Sequence, residues 1–404
     1  MTSVTNPQKC TGCLACRLIC PEECIGAAED SEGFAVPQIE SSRCLECGLC
    51  VSRCPENSAP GAGLSGCLRV LAAKSKDDAI LRCSASGGVF AGLAKKILET
   101  PGNAVFGCAY DENLAARHIC VTDPAGLPRL QSSKYVQSDT GDTYLQAKAL
   151  LDAGKTVFYT GTPCQIAGLR AFLGAARDNL LTADLVCHGV PSPLLFAKYL
   201  RWLGRKHGGQ VISYNFRSKE RDGWGLTSRA VIKTGSRSKT RFISPYADPY
   251  YDSFLNCRTF RECCYTCRYA GSRRAADFSI GDYWGIDKVD PGFFDSKGVS
   301  VVLINTDKGA RWFEKVAGGF DTVETAFADA ASHNINLTAP SCRPGLRDCA
   351  YDGVSGAGAG FFRSPAYRIR KDVYFKTLVK TGLKRILPPA AIEKYRNVKR
   401  MVRM

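Results

Sequence analysis

Beyond residue 80 the chain alternates between two hydrophobic periods. In the segment SASGGVFAGLAKKILE, Val89, Leu93, Ile97 and Leu98 fall on one side of a helix, with Ser84 or Ser86 as the expected cap. Apolar runs near 104–110 and 117–122 read as strands. A helix over 144–153 leads into a strand over 155–160, the turn Gly161-Thr162-Pro163-Cys164 and a helix from Gln165 to Leu173. A strand near 180–187 ends at Cys187, and Ser192 and Pro193 then open a helix as cap and first residue. Strand–helix–strand order predicts an α/β body with parallel pairing. More strands are expected over 210–245, with a hairpin at Gly235, and over Val299–Ile304, ahead of a helix after Lys308. Gly353 to Gly360 reads as a Gly/Ala linker, and a basic tail follows it.

The first sixty residues show neither period. Their order is in cysteine. Cys10-x-x-Cys13-x-x-Cys16-x-x-x-Cys20-Pro21 recurs as Cys44-x-x-Cys47-x-x-Cys50-x-x-x-Cys54-Pro55. This is the spacing of two-cluster bacterial ferredoxins. Three close cysteines wrap three iron corners of a cubane, and the fourth is carried by the chain to the other cluster. Cys10, Cys13, Cys16 and Cys54 are therefore assigned to one [4Fe–4S] cluster, and Cys44, Cys47, Cys50 and Cys20 to a second. The prolines keep the ligand loop from continuing as helix. Structural zinc is the alternative reading of a CxxC pair, but a doubled set of eight argues against it. Cys24 lies outside the pattern and reads as a buried or spare thiol.

The chain holds 21 cysteines in 404 residues, a size that needs no disulfide staples. MTSVTNPQKC has no apolar run of the secretory kind, so the thiols read as cytoplasmic and metal-binding. The formal net charge is +16, unevenly placed. Residues 1–60 carry −4, whereas residues 363–404 carry +11. A charge concentrated in a tail is not a nucleic-acid footprint over the whole chain. The tail's mix of Lys/Arg with Tyr374, Phe375, Leu378, Leu383 and Ile386 suits either an anionic membrane surface on the cytoplasmic face or a solvated helix packed on protein. GAGLSG at 61–66 fits a dinucleotide fingerprint in letters but follows turn material, not a strand, and reads as a linker.

Several phrases of the body resemble the coenzyme F420 hydrogenase/dehydrogenase beta-subunit family. They are Ser84-Ala-Ser86-Gly87-Gly88, Ser133-Lys134-Tyr135-Val136-Gln137-Ser138, Gly161-Thr162-Pro163-Cys164-Gln165, Cys187-His188-Gly189-Val190-Pro191-Ser192, Cys264-Tyr265-Thr266-Cys267 and Ala276-Asp277-Phe278-Ser279-Ile280-Gly281-Asp282-Tyr283-Trp284-Gly285. The resemblance spans about residues 80–340, in family order. It implies an oxidoreductase with flavin, usually FAD, and one further [4Fe–4S] cluster, exchanging electrons with a two-electron partner. That partner is coenzyme F420 in the best-known members, while many bacterial relatives belong to surface-polysaccharide biosynthesis.

The residues carry part of this independently. Cys164 and Cys187 each follow an expected strand at its C-terminal end, where open α/β sheets place ligands. Cys164 also begins a helix, and Cys264 with Cys267 adds a CxxC. These four form the candidate third cluster, with Cys263 and Cys257 as neighbours able to substitute. Ser84, Ser86, Gly87 and Gly88 are the candidate flavin-phosphate loop, because small residues ahead of a helix let backbone N–H groups approach an anion. Lys134 is the candidate cation at the flavin. His188 reads as a structural histidine, and Asp282 and Trp284 as lining residues.

The expected architecture is α/β, or α+β overall. A ferredoxin-like domain (1–60) precedes a flavin-binding part (80–160), a part bearing the third cluster (161–345) and the linker with tail (353–404). The expected function is an iron–sulfur flavoprotein oxidoreductase with a redox partner protein or small-molecule acceptor. A polyferredoxin-like carrier without a catalytic site is the alternative, and a scaffold with purely structural clusters a weaker third.

Overall fold

The computed structural model describes residues 3–59, 61–356, 358 and 360–368. The N-terminal module has one hairpin, β1 (Ile25–Glu29) and β2 (Ala35–Ile39), paired antiparallel. The body begins earlier than the hydrophobic period suggests. The apolar stretch after residue 68 is a strand, β3 (Arg69–Ser75), followed by a short helix, Asp78–Cys83, that Asp77 caps. Then come β4 (Ala104–Tyr110), β5 (Ala116–Val121), β6 (Val157–Gly161) and β7 (Leu180–Leu185). The chain leaves this sheet for β8 (Gln210–Asn215), β9 (Ser228–Thr234) and β10 (Arg237–Ile243), and returns with β11 (Phe278–Asp282), β12 (Ser300–Ile304) and β13 (Phe320–Glu324).

The large sheet runs β13-β3-β12-β11-β7-β6-β4-β5, and β10-β9-β8 form a separate antiparallel sheet with its turn at Gly235. Only the centre of the large sheet is parallel: β4 with β6, β6 with β7, and β7 with β11. The other pairs are antiparallel. The mixed α/β class stands, with the expected parallel pairing confined to four strands. Residues 80–160 and 161–345 share this one sheet, so the expected boundary at 160/161 falls inside a single layer.

Both faces of the sheet are covered, and successive residues take opposite sides. Leu71, Val105, Phe158, Leu181 and Val302 pack under the helix Val89–Leu98, while Ala104, Phe106, Val157 and Tyr159 pack under helices Thr143–Asp152 and Pro163–Leu173. The helix Val89–Leu98 buries Val89, Leu93, Ile97 and Leu98 as expected. Its cap is Gly88 at φ +84°, not Ser84 or Ser86. The expected tail also starts late: Phe362, Ala366 and Tyr367 are buried in the core around Tyr199 and Tyr250. The remainder of the tail, and with it the membrane expectation, lies outside the described residues. Among the described residues no helix is long and apolar enough to cross a membrane.

Candidate functional site

The doubled cysteine motif folds as two copies of one backbone path. In Cys10–Cys16 the left-handed residues are Gly12 (φ +67°) and Leu14 (φ +54°); in Cys44–Cys50 they are Glu46 (φ +51°) and Gly48 (φ +73°). Each copy thus has glycine at a different one of two equivalent positions. Leu14 and Glu46 accept strain of about 1–3 kcal/mol, which a surrounding structure must enforce. Such alternation turns successive N–H groups inward, a concavity suited to an anion. Each loop enters a short helix, Ala15–Ile19 or Leu49–Ser52, and Cys20 and Cys54 follow in extended conformation before their prolines.

The fourth cysteine of each run crosses over. Cys54 interacts electrostatically with Cys10, Cys13 and Cys16, whereas Cys20 lines one pocket with Cys44, Cys47 and Cys50. Burial, with the neighbouring Cys10 and Cys54, pushes Cys13 up to about 11, and Cys16 rises for the same reasons. Thiols held this high stay protonated near neutral pH unless a bound cation takes the proton's place, which iron does. The four-and-four division fits two cubanes. Among the described residues no three Cys, His, Asp or Glu side chains form a site for a single metal ion.

Cys24, outside the spacing, joins the second group. Its Sγ lies 3.3 Å from Cys20 Sγ. That hydrogen bond, and after it burial, pushes Cys24 up to about 11. Either sulfur can be the donor in the bare pair; with Cys20 held by iron as a thiolate, Cys24 would be the donor. Hydrogen bonds to ligand sulfurs are one lever on a cluster's potential.

In the body, β6 and β7 are parallel neighbours, so the segments leaving their C-terminal ends emerge side by side. Gly161 closes β6, and Pro163 opens the helix Pro163–Leu173, with Gln165 Oε1 accepting from Thr162 N–H at 2.9 Å. The helix therefore starts two residues before the expected Gln165, placing Cys164 in its first turn. Thr162 Oγ1 lies 3.2 Å from Cys164 Sγ. Cys164, Cys187, Cys264 and Cys267 line one pocket with His188, and buried Cys263 lines it too. Burial, followed by Cys264 and Cys267, pushes Cys187 up to about 12, and Cys164 is raised by burial and then by Cys187, Cys267 and Cys264. Cys264 is raised first by its hydrogen bond with Cys263, which sits behind it. The structure thus brings together the four cysteines expected from three separate segments, a donor set that fits a third cubane. Cys257 stands apart, 3.6 Å from His188 Nε2, and His188 Nδ1 meets Asn336 Oδ1 at 3.1 Å. His188 is held on both nitrogens, as a structural histidine would be.

Residues that sequence reasoning passed over fix these groups. Buried Arg274 donates to Asp184 Oδ1 and to the Leu185 carbonyl, both at 2.8 Å, tying the loop after Cys267 to the end of β7. Gln165 Nε2 donates to Ser138 O (3.1 Å) and Ser138 Oγ (3.0 Å), joining two of the quoted phrases. The pocket holding the third group also includes Thr11 and Glu56 of the module, and Tyr269 donates to Glu56 Oε1 at 2.7 Å. Cys13 packs directly on the helix that bears Cys164: a Cβ on Gly168 would lie 2.9 Å from Cys13 Sγ. The first and third cysteine groups are thus neighbours.

A second concavity lies beyond the C-terminal end of β4. Its volume is about 770 Å³, the size of a small-molecule site. Arg82, Arg129, Lys134, Arg217, Lys219 and Lys297 line it, against Asp111 and Glu220. Lys134 Nζ donates to the carbonyls of Arg129, Gln131 and Ser132, and burial brings it down to about 8. Lys219 is also brought down to about 8, by burial and then by Arg217. Tyr110 Oη is buried at this cavity with no hydrogen-bond partner among the described residues. A basic cavity with an orphaned hydroxyl fits an anionic cofactor.

The Ser84–Gly88 segment does not line it. Ser84 Oγ donates to Ile80 O, Ser86 Oγ meets Ser300 Oγ, and a Cβ on Gly87 would lie 2.1 Å from Ala73 O. These small residues let the turn press against β3 and β12. Only the carbonyl side of the turn reaches the cavity's wall, where Lys219 Nζ donates to Ser86 O at 2.8 Å. Asp282 is engaged as well: it receives both Arg217 Nη1 and Nη2 at 2.7 Å and Trp224 Nε1 at 2.6 Å, and Trp284 stacks on Trp224 with ring centroids 5.0 Å apart.

Residues 9–58 match the model of the 4Fe-4S dicluster domain, and residues 154–326 match that of the C terminus of the coenzyme F420 hydrogenase/dehydrogenase beta subunit. No curated protein matches the chain. Among solved structures, a chain of the F420-reducing [NiFe] hydrogenase complex from Methanosarcina barkeri is 18% identical, with 74% of this chain and 91% of that chain covered and a TM-score of 0.42.

Proposed function

For a chain whose residues 154–326 match the C terminus of the coenzyme F420 hydrogenase/dehydrogenase beta-subunit family and whose residues 9–58 match a 4Fe-4S dicluster domain, we propose a three-cluster relay that ends at a flavin. The family makes it an iron–sulfur, electron-transferring oxidoreductase. The observation that supports the finer reading is the contact of Cys13 with the helix of Cys164, which makes the first and third thiol groups neighbours.

Cys20, Cys44, Cys47 and Cys50 would hold the outer cluster, Cys10, Cys13, Cys16 and Cys54 the middle one, and Cys164, Cys187, Cys264 and Cys267 the inner one. The basic cavity would hold FAD, with Lys134 and Lys219 facing its anionic groups. A flavin, when bound, exchanges electrons singly with clusters and in pairs with a hydride partner, which a cluster alone cannot do. The chain's own part is to keep these groups close and dry. Tyr144 and Tyr269, both buried, each lie close to both Cys13 and Cys164. Lys134 and Lys219, brought down in pKa by burial, can each hold or release a proton near neutral pH.

Anaerobically purified protein should contain about twelve irons and one releasable flavin per chain. Absence of FAD or FMN, with failure to rebind either, would leave the carrier reading in its place. The two-electron partner is coenzyme F420 or another substrate, with surface-polysaccharide biosynthesis as one setting for the latter. Oxidation or reduction of added coenzyme F420, followed by its absorbance, decides between them.

A further inference from the structure

The two copies of the cysteine loop differ in what covers them. On the first, a Cβ at Gly12 would lie 2.6 Å from Ala35 O and 2.7 Å from Arg261 Nη1. The carbonyls of Cys10, Thr11 and Cys13 accept from Arg261 Nε (2.7 Å), Gln137 Nε2 (3.0 Å) and Thr140 Oγ1 (3.3 Å) of the body. On the second, the loop's own glycine, Gly48, has nothing within 4 Å of its would-be Cβ. Cys47, the counterpart of Cys13, is exposed, and beside it Leu45 is 68% and Leu49 42% exposed. Glu22, Glu23, Glu40 and Glu46 are exposed in the same segments, with Arg43 among them paired to Glu40. The module's charge of −4 stands against +16 for the whole chain, so this acidic face is out of keeping with the rest of the molecule.

Resting on the relay above, we propose that the face around Cys47 is a docking surface for a separate redox protein, one whose own electron-carrying group lies under an apolar spot ringed by Lys and Arg. Electrons can reach the outer group only where it is uncovered, and the body seals the opposite side. Leu45 and Leu49 supply the apolar centre that brings two redox groups close. The glutamates supply the long-range part: opposite charge raises encounter rates, while like charge repels an acidic partner. Such an interface is of the small, transient kind, below about 1,200 Å² in total.

The test uses the full chain with clusters loaded and reduced under anaerobic conditions, after iron analysis and electron paramagnetic resonance. In a stopped-flow instrument it is mixed with a lysine-ringed c-type cytochrome or with an acidic rubredoxin. The cytochrome should be reduced faster, and its rate should fall steeply as salt rises. Glu22→Lys with Glu23→Lys should slow it roughly tenfold at low salt and little at high salt. Leu45→Ala should slow it at both. Glu314→Lys, an exposed acid on the body, should change nothing. Intact clusters with a cytochrome rate indifferent to the Glu22/Glu23 reversal and to Leu45→Ala would overturn the docking surface and leave the relay standing. A chain that holds no cluster in the module would overturn the relay, and the docking surface with it.

Discussion

Gly168→Ala sets two effects of similar size against each other, and the structure decides between them. Gly168 lies inside the helix Pro163–Leu173, where glycine costs about 1 kcal/mol relative to alanine. In an isolated helix the substitution would stabilise by that amount. Here the new Cβ would lie 2.9 Å from both Cβ and Sγ of Cys13 and 3.1 Å from Tyr144 Oη. None of these can swing aside. Cys13 sits in a loop pinned at three carbonyls, and Tyr144 Oη donates to Gln165 O at 2.8 Å. Overpacking of a fixed contact costs about 1–3 kcal/mol, so the net effect runs from near zero to a loss of about 2 kcal/mol. The displacement falls on the loop bearing Cys13. Anaerobic thermal unfolding should show no gain in Tm, and electron paramagnetic resonance should show one cluster signal altered while that of the outer cluster is unchanged. A higher Tm with all cluster signals as in the parent would refute the contact, and with it the closeness of the first and third groups.

Three further outcomes follow from named side chains. Burial brings His118 down to about 4, opposed by its hydrogen bond to Thr160 O. In the unfolded chain it titrates near 6.5, so between these values the unfolded state binds the extra proton and stability falls as pH drops from about 6.5 to about 4, by about 3 kcal/mol in all. His118→Gln should flatten that part of a Tm–pH profile; an unchanged slope would refute the assignment. Arg347, 1% exposed in its side chain, grips Glu32 with both Nη atoms (2.8 and 2.6 Å) and donates to Phe260 O at 2.7 Å. Arg347→Met should cost about 3 kcal/mol and speed proteolytic release of the module, and unchanged proteolysis would count against this anchor. Cys24→Ala removes the hydrogen bond to Cys20 sulfur and should lower the potential of one cluster in film voltammetry while iron content stays constant. No change would mean that the donated proton does not reach a ligand.

The legible parts of the sequence were those governed by local rules. The cysteine spacing dictates a loop wherever it occurs, so the two N-terminal groups and the crossing of Cys20 and Cys54 were readable without the fold. Helix Val89–Leu98 and strands β4 to β7 followed from period alone. β3 was not readable, because RVLAAKS carries two basic residues and pairs with strands more than two hundred residues later, β12 and β13. The Gly87-Gly88 pair misled for a related reason. Close approach of backbone was correctly inferred, but the approaching group is the Ala73 carbonyl, not a phosphate. Arg217, which closes the cavity's polar wall on Asp282, lies in the loop between β8 and β9, inside a stretch (210–245) read only as strands, with nothing to flag it.

The way the module is fastened bears on what its acidity is for. Were the glutamates there to hold the acidic module on a basic body, the body's arginines would meet carboxylates. Mostly they meet carbonyls instead. Arg261 donates to Cys10 O and Ala35 O, and Arg268 to Pro55 O, Ser58 O and Ala59 O. Arg347 with Glu32 is the buried exception, and Arg17 with Asp142 reverses the charges. Carbonyl bonds depend on geometry and are little screened by salt, so they fix the module rigidly and independently of ionic strength. Glu22 and Glu23 are left at the exposed end beside Cys47, where a charge acts on approaching molecules rather than on the fold. Rigid fastening on the covered side and screened charge on the open side are what an electron port needs: a constant distance inward and a partner that binds, exchanges and leaves.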